Sequence, residues 1–120
     1  MSTVLLGTDG SKPSLRAENY LSNTYDPAED EVVVVSVATV PSDVMDYLEI
    51  GDEEDPYETE VGQQFIQRAE EHAQDAEERL RAEGFDVEIV VPTGRPGREI
   101  CRVAEERDVQ CIVVGRRGQS

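Results

Sequence analysis

The sequence predicts an α/β fold, an open parallel sheet with helices on both faces. Three observations point to it. Short apolar runs alternate with longer amphipathic stretches along the chain. The first and last runs, Val4-Leu5-Leu6 and Ile112-Val113-Val114, contain no polar residue, as expected of strands covered on both faces. The stretches between runs are long enough for helical crossovers, which make neighbouring strands parallel and the crossovers right-handed.

Val4–Leu6 form the first and central strand, which breaks into the turn Gly7-Thr8-Asp9-Gly10-Ser11. The glycines let the backbone turn sharply and let a ligand approach it. An acidic side chain at the carboxyl end of a strand is how open α/β sheets present a binding site. Ser11 suits a helix N-cap, with Pro13 tolerated in the first turn. Ala17, Tyr20, Leu21 and Thr24 follow at i, i+3, i+4 and i+7, one face of a helix. Asp26-Pro27 punctuates the turn, and the β-branched run Val32–Val40 is the second buried strand.

From Pro41 to Glu60 periodicity disappears and acidic residues accumulate, which predicts a solvated loop. A calcium site there is unsupported, because the alternating oxygen ligands around a central glycine are missing. Val61, Phe65, Ala69, Ala73, Ala76 and Leu80 then mark a long amphipathic helix that Gly84 ends. His72, the one histidine, lies beside this stripe and reads as a helix-surface residue. The alternation in Asp86–Val91 indicates a half-exposed strand at a sheet edge. Thr93–Gly97 turns into a helix with Ile100, Val103, Ala104 and Arg107 on its face, and Cys111–Gly115 is the fourth strand. Cys101 and Cys111 have neither metal-ligand nor redox spacing and read as buried free thiols.

At 120 residues the chain, 1–120, has room for one domain. Its 27 acidic and 11 basic residues give a net charge of −16, which argues against nucleic acid or an anionic membrane as partner. Such an acidic surface suits a salt-accumulating, halophilic cytoplasm, where screening relieves self-repulsion. A cytoplasmic location is the expectation, since no stretch approaches a membrane span and no signal peptide is visible. The charge is uneven: residues 91–120 carry six basic and four acidic side chains, net +2, leaving −18 to the first ninety. Arg95, Arg98, Arg116 and Arg117 are expected near the carboxyl edge of the sheet, where they either serve an anion or offset the acidic helices.

The motif Val-x4-Asp-Gly-Ser at residues 4–11, Gly94-Arg95-Pro96 and Ile112-Val113-Val114-Gly115-Arg116-Arg117-Gly118 stand in that order on a β-α-β-loop-α-β-α-β frame. Together they resemble the universal stress protein family along essentially the whole chain. The resemblance implies an adenine nucleotide alpha hydrolase-like sheet of order 3-2-1-4-5, here 3-2-1-4 with the fifth strand missing from the sequence. It implies a homodimer, and ATP or AMP, with Mg2+ accompanying the triphosphate. Carried over by position, the adenosine part meets Thr8, Asp9 and the backbone around Val37, with Gly10 and Ser11 completing the turn. Gly115, Arg116, Arg117 and Gly118 begin the phosphate loop. The family's Gly-x2-Gly-x9-Gly-(Ser/Thr) pattern is present only in its first half, so ATP is expected to bind little better than AMP.

Other phosphate motifs fail: Gly7-x-x-Gly10 is neither a dinucleotide fingerprint nor a P-loop. With one histidine, no Ser-His-Asp or Cys-His arrangement assembles from the sequence. The sequence therefore reads as an adenine-nucleotide-binding regulatory module of the stress response and not a turnover enzyme, with a slow ATPase as the third reading because no general base stands beside the expected phosphate position. The alternative is a stress protein that binds no nucleotide and acts in dimerisation or partner docking, with pairing expected through Cys111–Gly115 as a free sheet edge.

Overall fold

The computed structural model describes residues 2–48 and 54–115. Four strands, β1 (Ser2–Gly7), β2 (Asp30–Val35), β3 (Asp86–Val90) and β4 (Cys111–Val114), form one sheet of order β3-β2-β1-β4 with every pair parallel. The expected order is what the chain adopts, with β1 central and β3 at an edge. The connections carry α1 (Lys12–Thr24), α2 (Ser42–Tyr47), a 3-10 turn (Pro56–Glu58), α3 (Glu60–Ala82) and α4 (Pro96–Glu106).

The two-residue period of the strands divides the core into two layers. Val4, Leu6, Val32, Val34 and Val113 face α1 and α3, where they pack with Leu21, Ala73, Ala76, Leu80 and Phe85. Leu5, Val33 and Val35 face the other way, toward Val103 of α4. This split follows from chain direction. Two right-handed crossovers step from β1 to β2 to β3 and put α1 and α3 on one face; the return across the sheet to β4 puts α4 on the opposite face.

Helix starts follow the local chemistry read from the sequence. Ser11 caps α1 by accepting from the Ser14 amide at 3.3 Å, with proline in the first turn. Thr59 caps α3 by accepting from Gly62 N at 2.9 Å. Gly62 itself has no room for a side chain, because a Cβ would overlap the Pro56 carbonyl oxygen where the 3-10 turn crosses the helix.

Several expectations are corrected. The buried face of α1 is Ser14, Ala17, Glu18 and Leu21, while Tyr20 is 58% exposed and Thr24 is exposed. The helix is rotated because Glu18 turns inward to a bidentate pair with Arg79 of α3, at 2.7 and 2.9 Å. Strand β2 ends at Val35 and not Val40; beyond it the chain keeps contact with the β3–α4 connection through Ala38 N to Pro92 O at 2.9 Å and an isolated bridge to Thr93. The acidic loop holds α2 and the 3-10 turn, the latter capped by the Asp55 carboxylate accepting from Tyr57 N at 2.9 Å. Neither cysteine is buried: Cys101 is exposed on α4, and Cys111 is half-buried on the edge strand. On β4, Val113 is buried while Ile112 and Val114 on the α4 side are 43% and 51% exposed.

Candidate functional site

Open α/β sheets bind ligands outside the carboxyl ends of the strands, where successive connections leave in opposite directions. In this sheet that switch point lies between β1 and β4. A cavity of about 750 Å³ opens there, extending over the tip of β2. Its floor is made by Gly7 at the end of β1 with Thr8 and Asp9 beyond it, by Val35 at the end of β2 and the chain to Thr39, and by Val114 at the end of β4 with Gly115. One wall is α3, with Phe65, Arg68, Ala69 and His72; the other comes from Pro96 and Ile100 of α4.

The β1–α1 turn is tied by its own polar groups. Thr8 N donates to Val35 O at 2.9 Å, which holds the turn against β2. The Asp9 carboxylate accepts from Ser14 Oγ at 2.6 Å and from Ser11 N at 3.0 Å, while Asp9 N donates to Ser14 Oγ at 3.0 Å. Ser14 is buried, so its hydroxyl fixes one carboxylate oxygen from within the fold. In the first turn of α1, Pro13 has no amide hydrogen, Ser14 N donates to Ser11 Oγ and Leu15 N donates to Ser11 O at 3.0 Å.

Gly10 adopts the left-handed conformation, φ +77°. A Cβ there would overlap the His72 ring, so the imidazole lies directly on the turn. At Gly7 a Cβ would come within 2.8 Å of Val114 Cγ1 and 3.1 Å of Ile100 Cδ1, so the missing side chain lets β1, β4 and α4 close together beneath the cavity.

Of the residues expected at the site, Thr8, Asp9, Val37 and Gly115 line the cavity together. Gly10 and Ser11 complete the turn behind them, Ser11 as the N-cap of α1. Arg116, Arg117 and Gly118 lie outside the described residues. Arg95 and Arg98 are exposed at the start of α4 and do not line the cavity; the cation that does, among the described residues, is Arg68. Arg102 and Arg107 offset acidic neighbours, Arg102 pairing with Glu99 and Glu106, and Arg107 with Glu88.

Sequence reasoning missed the α3 wall. His72 read as a surface residue, yet it is half-buried in the cavity. The signal was available in topology: α3 follows the connection that leaves the tip of β2, so its first turns must lie beside the strand ends. Asp9, Ser14 and His72 do share the cavity, but the Ser14 hydroxyl donates to Asp9, which is not the serine-to-histidine bond that nucleophilic catalysis requires. Among the described residues no cluster of three His, Cys, Asp or Glu side chains is placed to hold a metal ion.

A second, shallower groove runs along the other side of α1, lined by Pro13, Arg16, Tyr20 and the edge strand β4. Beside it, the Tyr25 hydroxyl is pushed up to about 12, first by its hydrogen bond with Cys111 and then by burial.

The model of the universal stress protein family matches residues 1–120. A comparison with curated protein sequences finds no match. Among solved structures, the chain is similar to hypothetical protein MJ0577, with a TM-score of 0.78 and 22% identity over 98% of this chain and 76% of that one. It is similar to a universal stress protein in complex with cAMP, with a TM-score of 0.62 and 20% identity over 94% and 75% of the two chains. A family protein from Arabidopsis thaliana, At3g01520 with AMP bound, matches with a TM-score of 0.66 and 17% identity over 98% and 78%.

Proposed function

This chain belongs to the universal stress protein family, and from that premise we propose that it binds an adenine nucleotide, AMP or ATP, as a regulatory module and not as a turnover enzyme. The observation that carries the reading is the cavity at the β1–β4 switch point, with Asp9 held at its floor by a buried serine. The adenosine part is assigned to Thr8, Asp9 and the Val37 backbone, and the phosphates to the segment beginning at Gly115. Two structures of the same fold support the ligand class, one in complex with cAMP and one with AMP bound. The cavity offers one carboxylate among the described residues, so Mg2+ would enter with the phosphates of ATP and not on a protein cage. The acidic surface and the lack of a helix long and apolar enough to cross a membrane among the described residues agree with a cytoplasmic protein.

Calorimetric titration with AMP and ATP tests the assignment. Asp9→Asn retains the oxygen that meets Ser14 and removes the charge, so the turn survives while the charge-assisted bond to the ligand is lost. Affinity should fall by about 1.5–3 kcal/mol. Equal affinity in wild type and variant would remove Asp9 from the site.

A second reading, self-association, is favoured by the apolar side chains left exposed on β4, Ile112 and Val114. Antiparallel pairing of two β4 edges across a two-fold axis would cover them. Light scattering on wild type and Ile112→Lys decides it: a lysine at that edge should give the monomer.

A further inference from the structure

We propose that His72 is a proton-controlled countercharge, whose imidazolium form tightens the hold of the cavity on an anionic nucleotide as pH falls through the range in which an imidazole titrates. This rests on the nucleotide reading above and adds a regulation to that site.

An anion entering the cavity approaches a chain of net charge −16, whose field opposes it. Among the described residues the lining holds three ionisable side chains: Asp9 on the β1–α1 turn, and Arg68 and His72 on α3. The walls from β2, β4 and α4 add none. Asp9 and Arg68 offset each other, so His72 sets the charge of this lining, zero with the ring neutral and +1 with it protonated. Around it, Glu71 and Asp75 on α3 and Lys12 in the first turn of α1 are exposed, where solvent and salt screen them more than a group inside the cavity. Imidazole is the side chain whose charge ordinarily changes between about pH 5 and 8.

The ring is seated where such a charge counts. A Cβ on Gly10 would overlap the Nδ1–Cε1 edge of the imidazole, so that edge lies against the β1–α1 turn. The same corner receives the tip of β4, since a Cβ on Gly115 would overlap the backbone of Pro13 and Ser14. Asp9 N donates to Ser14 Oγ at 3.0 Å, which draws these two contact points together. The imidazole and the start of the segment assigned to the phosphates therefore share one corner of the cavity. Among the described residues His72 joins no ion pair, so no carboxylate commits the ring to its charged form ahead of the ligand. A proton that favours the anion is by linkage favoured by the anion, so binding takes up a proton and lower pH tightens it.

The probe is cAMP, whose phosphodiester keeps one negative charge across this range, whereas a phosphate monoester such as AMP itself titrates near about pH 6. Adenosine, which is uncharged, is the control. Calorimetry on the whole chain at constant ionic strength should find cAMP bound at least about fivefold more tightly at about pH 5.5 than at about pH 8. Adenosine affinity should change by less than about twofold, and folded His72→Gln should hold cAMP at both pH values as wild type does at the higher one. The one histidine gives a single ring Cε1 proton resonance, whose titration midpoint in wild type should move to higher pH with cAMP and stay in place with adenosine. That measurement decides alone if thermal midpoints show His72→Gln to be unfolded. A cAMP affinity level with pH, or binding of adenosine without cAMP, overturns the switch and leaves the nucleotide reading standing. An equal pH response in folded His72→Gln or toward adenosine, loss of cAMP binding in that variant, or a resonance unmoved by cAMP also overturns the switch. A wild type that binds neither ligand at either pH overturns the nucleotide reading and the switch with it.

Discussion

Replacing Arg79 by alanine should destabilise the domain more than any other change to a surface charge. Glu18 is 5% exposed between α1 and α3, and both its oxygens accept from Arg79, at 2.7 Å from Nε and 2.9 Å from Nη2. The bond to Glu18 is also the main cause that raises Arg79 above the ordinary arginine value. Removing one partner of a buried pair costs about 3–5 kcal/mol because the other charge is left without compensation. Here the arginine side chain is 46% exposed, so water can partly replace it at the mouth of the contact. A cost of about 2–4 kcal/mol follows, which for a domain of this size lowers the thermal midpoint by on the order of 10 °C. Urea unfolding of wild type, Arg79→Ala, Glu18→Gln and the double variant gives the coupling directly. The double replacement Glu18→Leu/Arg79→Met, which removes both charges and keeps the volume, should recover most of the loss. A single Arg79→Ala variant within about 0.5 kcal/mol of wild type, the range of ordinary surface changes, would refute the assignment of Glu18 as a buried, paired charge.

Tyr25 supplies a pH signature. Its folded value of about 12 lies above the ordinary tyrosine value of 10.0, so its contribution to stability is fully present below about pH 10 and is lost as pH rises through 12. Phenolate absorbance should show it ionising later than an ordinary tyrosine, and Cys111→Ala should return it toward the ordinary value; an unchanged titration would remove the Cys111 bond as the cause. The net charge of −16 predicts a thermal midpoint that rises from low to molar salt, as screening relieves repulsion among the acidic side chains. A midpoint that stays flat or falls over that range contradicts it.

The sheet was legible because β1 and β2 are buried on both faces and therefore carry uninterrupted apolar runs, and because glycine, proline and serine mark the turns. The β1–α1 corner was legible for the same reason, with Asp9, Ser11 and Pro13 each in the position its chemistry favours. The face of α1 was not. Tyr20 and Thr24 fit the helical period as well as Ser14 and Glu18 do, and the choice is made by Arg79, 61 residues away from Glu18 in sequence. No local pattern carries that information. The α3 wall was illegible for a different reason. A stripe of apolar residues has one period whether it meets a core or a cavity, and only the position of the strand tips tells where one becomes the other. Cys111 was misread because apolar neighbours suggest burial, whereas exposure on an edge strand depends on what lies beside it.

The two core layers are of unequal strength. Among the described residues, twelve buried ones hold α1 and α3 to the sheet, and four hold the α4 side. Regions with few buried contacts open at lower free energy than the rest, so among the described helices α4 is expected to detach first. The cavity takes one wall from α3 and the other from α4. A molecule filling it therefore acts as a bolt through the sheet edge, fastening the loose layer to the firm one. Saturation would slow amide exchange in α4 well beyond its immediate contacts, and the strength of the signal would depend on ligand concentration by mass action. Occupancy would be read out on the back of the sheet, away from the helix that grips the ligand, giving the protein a surface whose order reports whether the cavity is full.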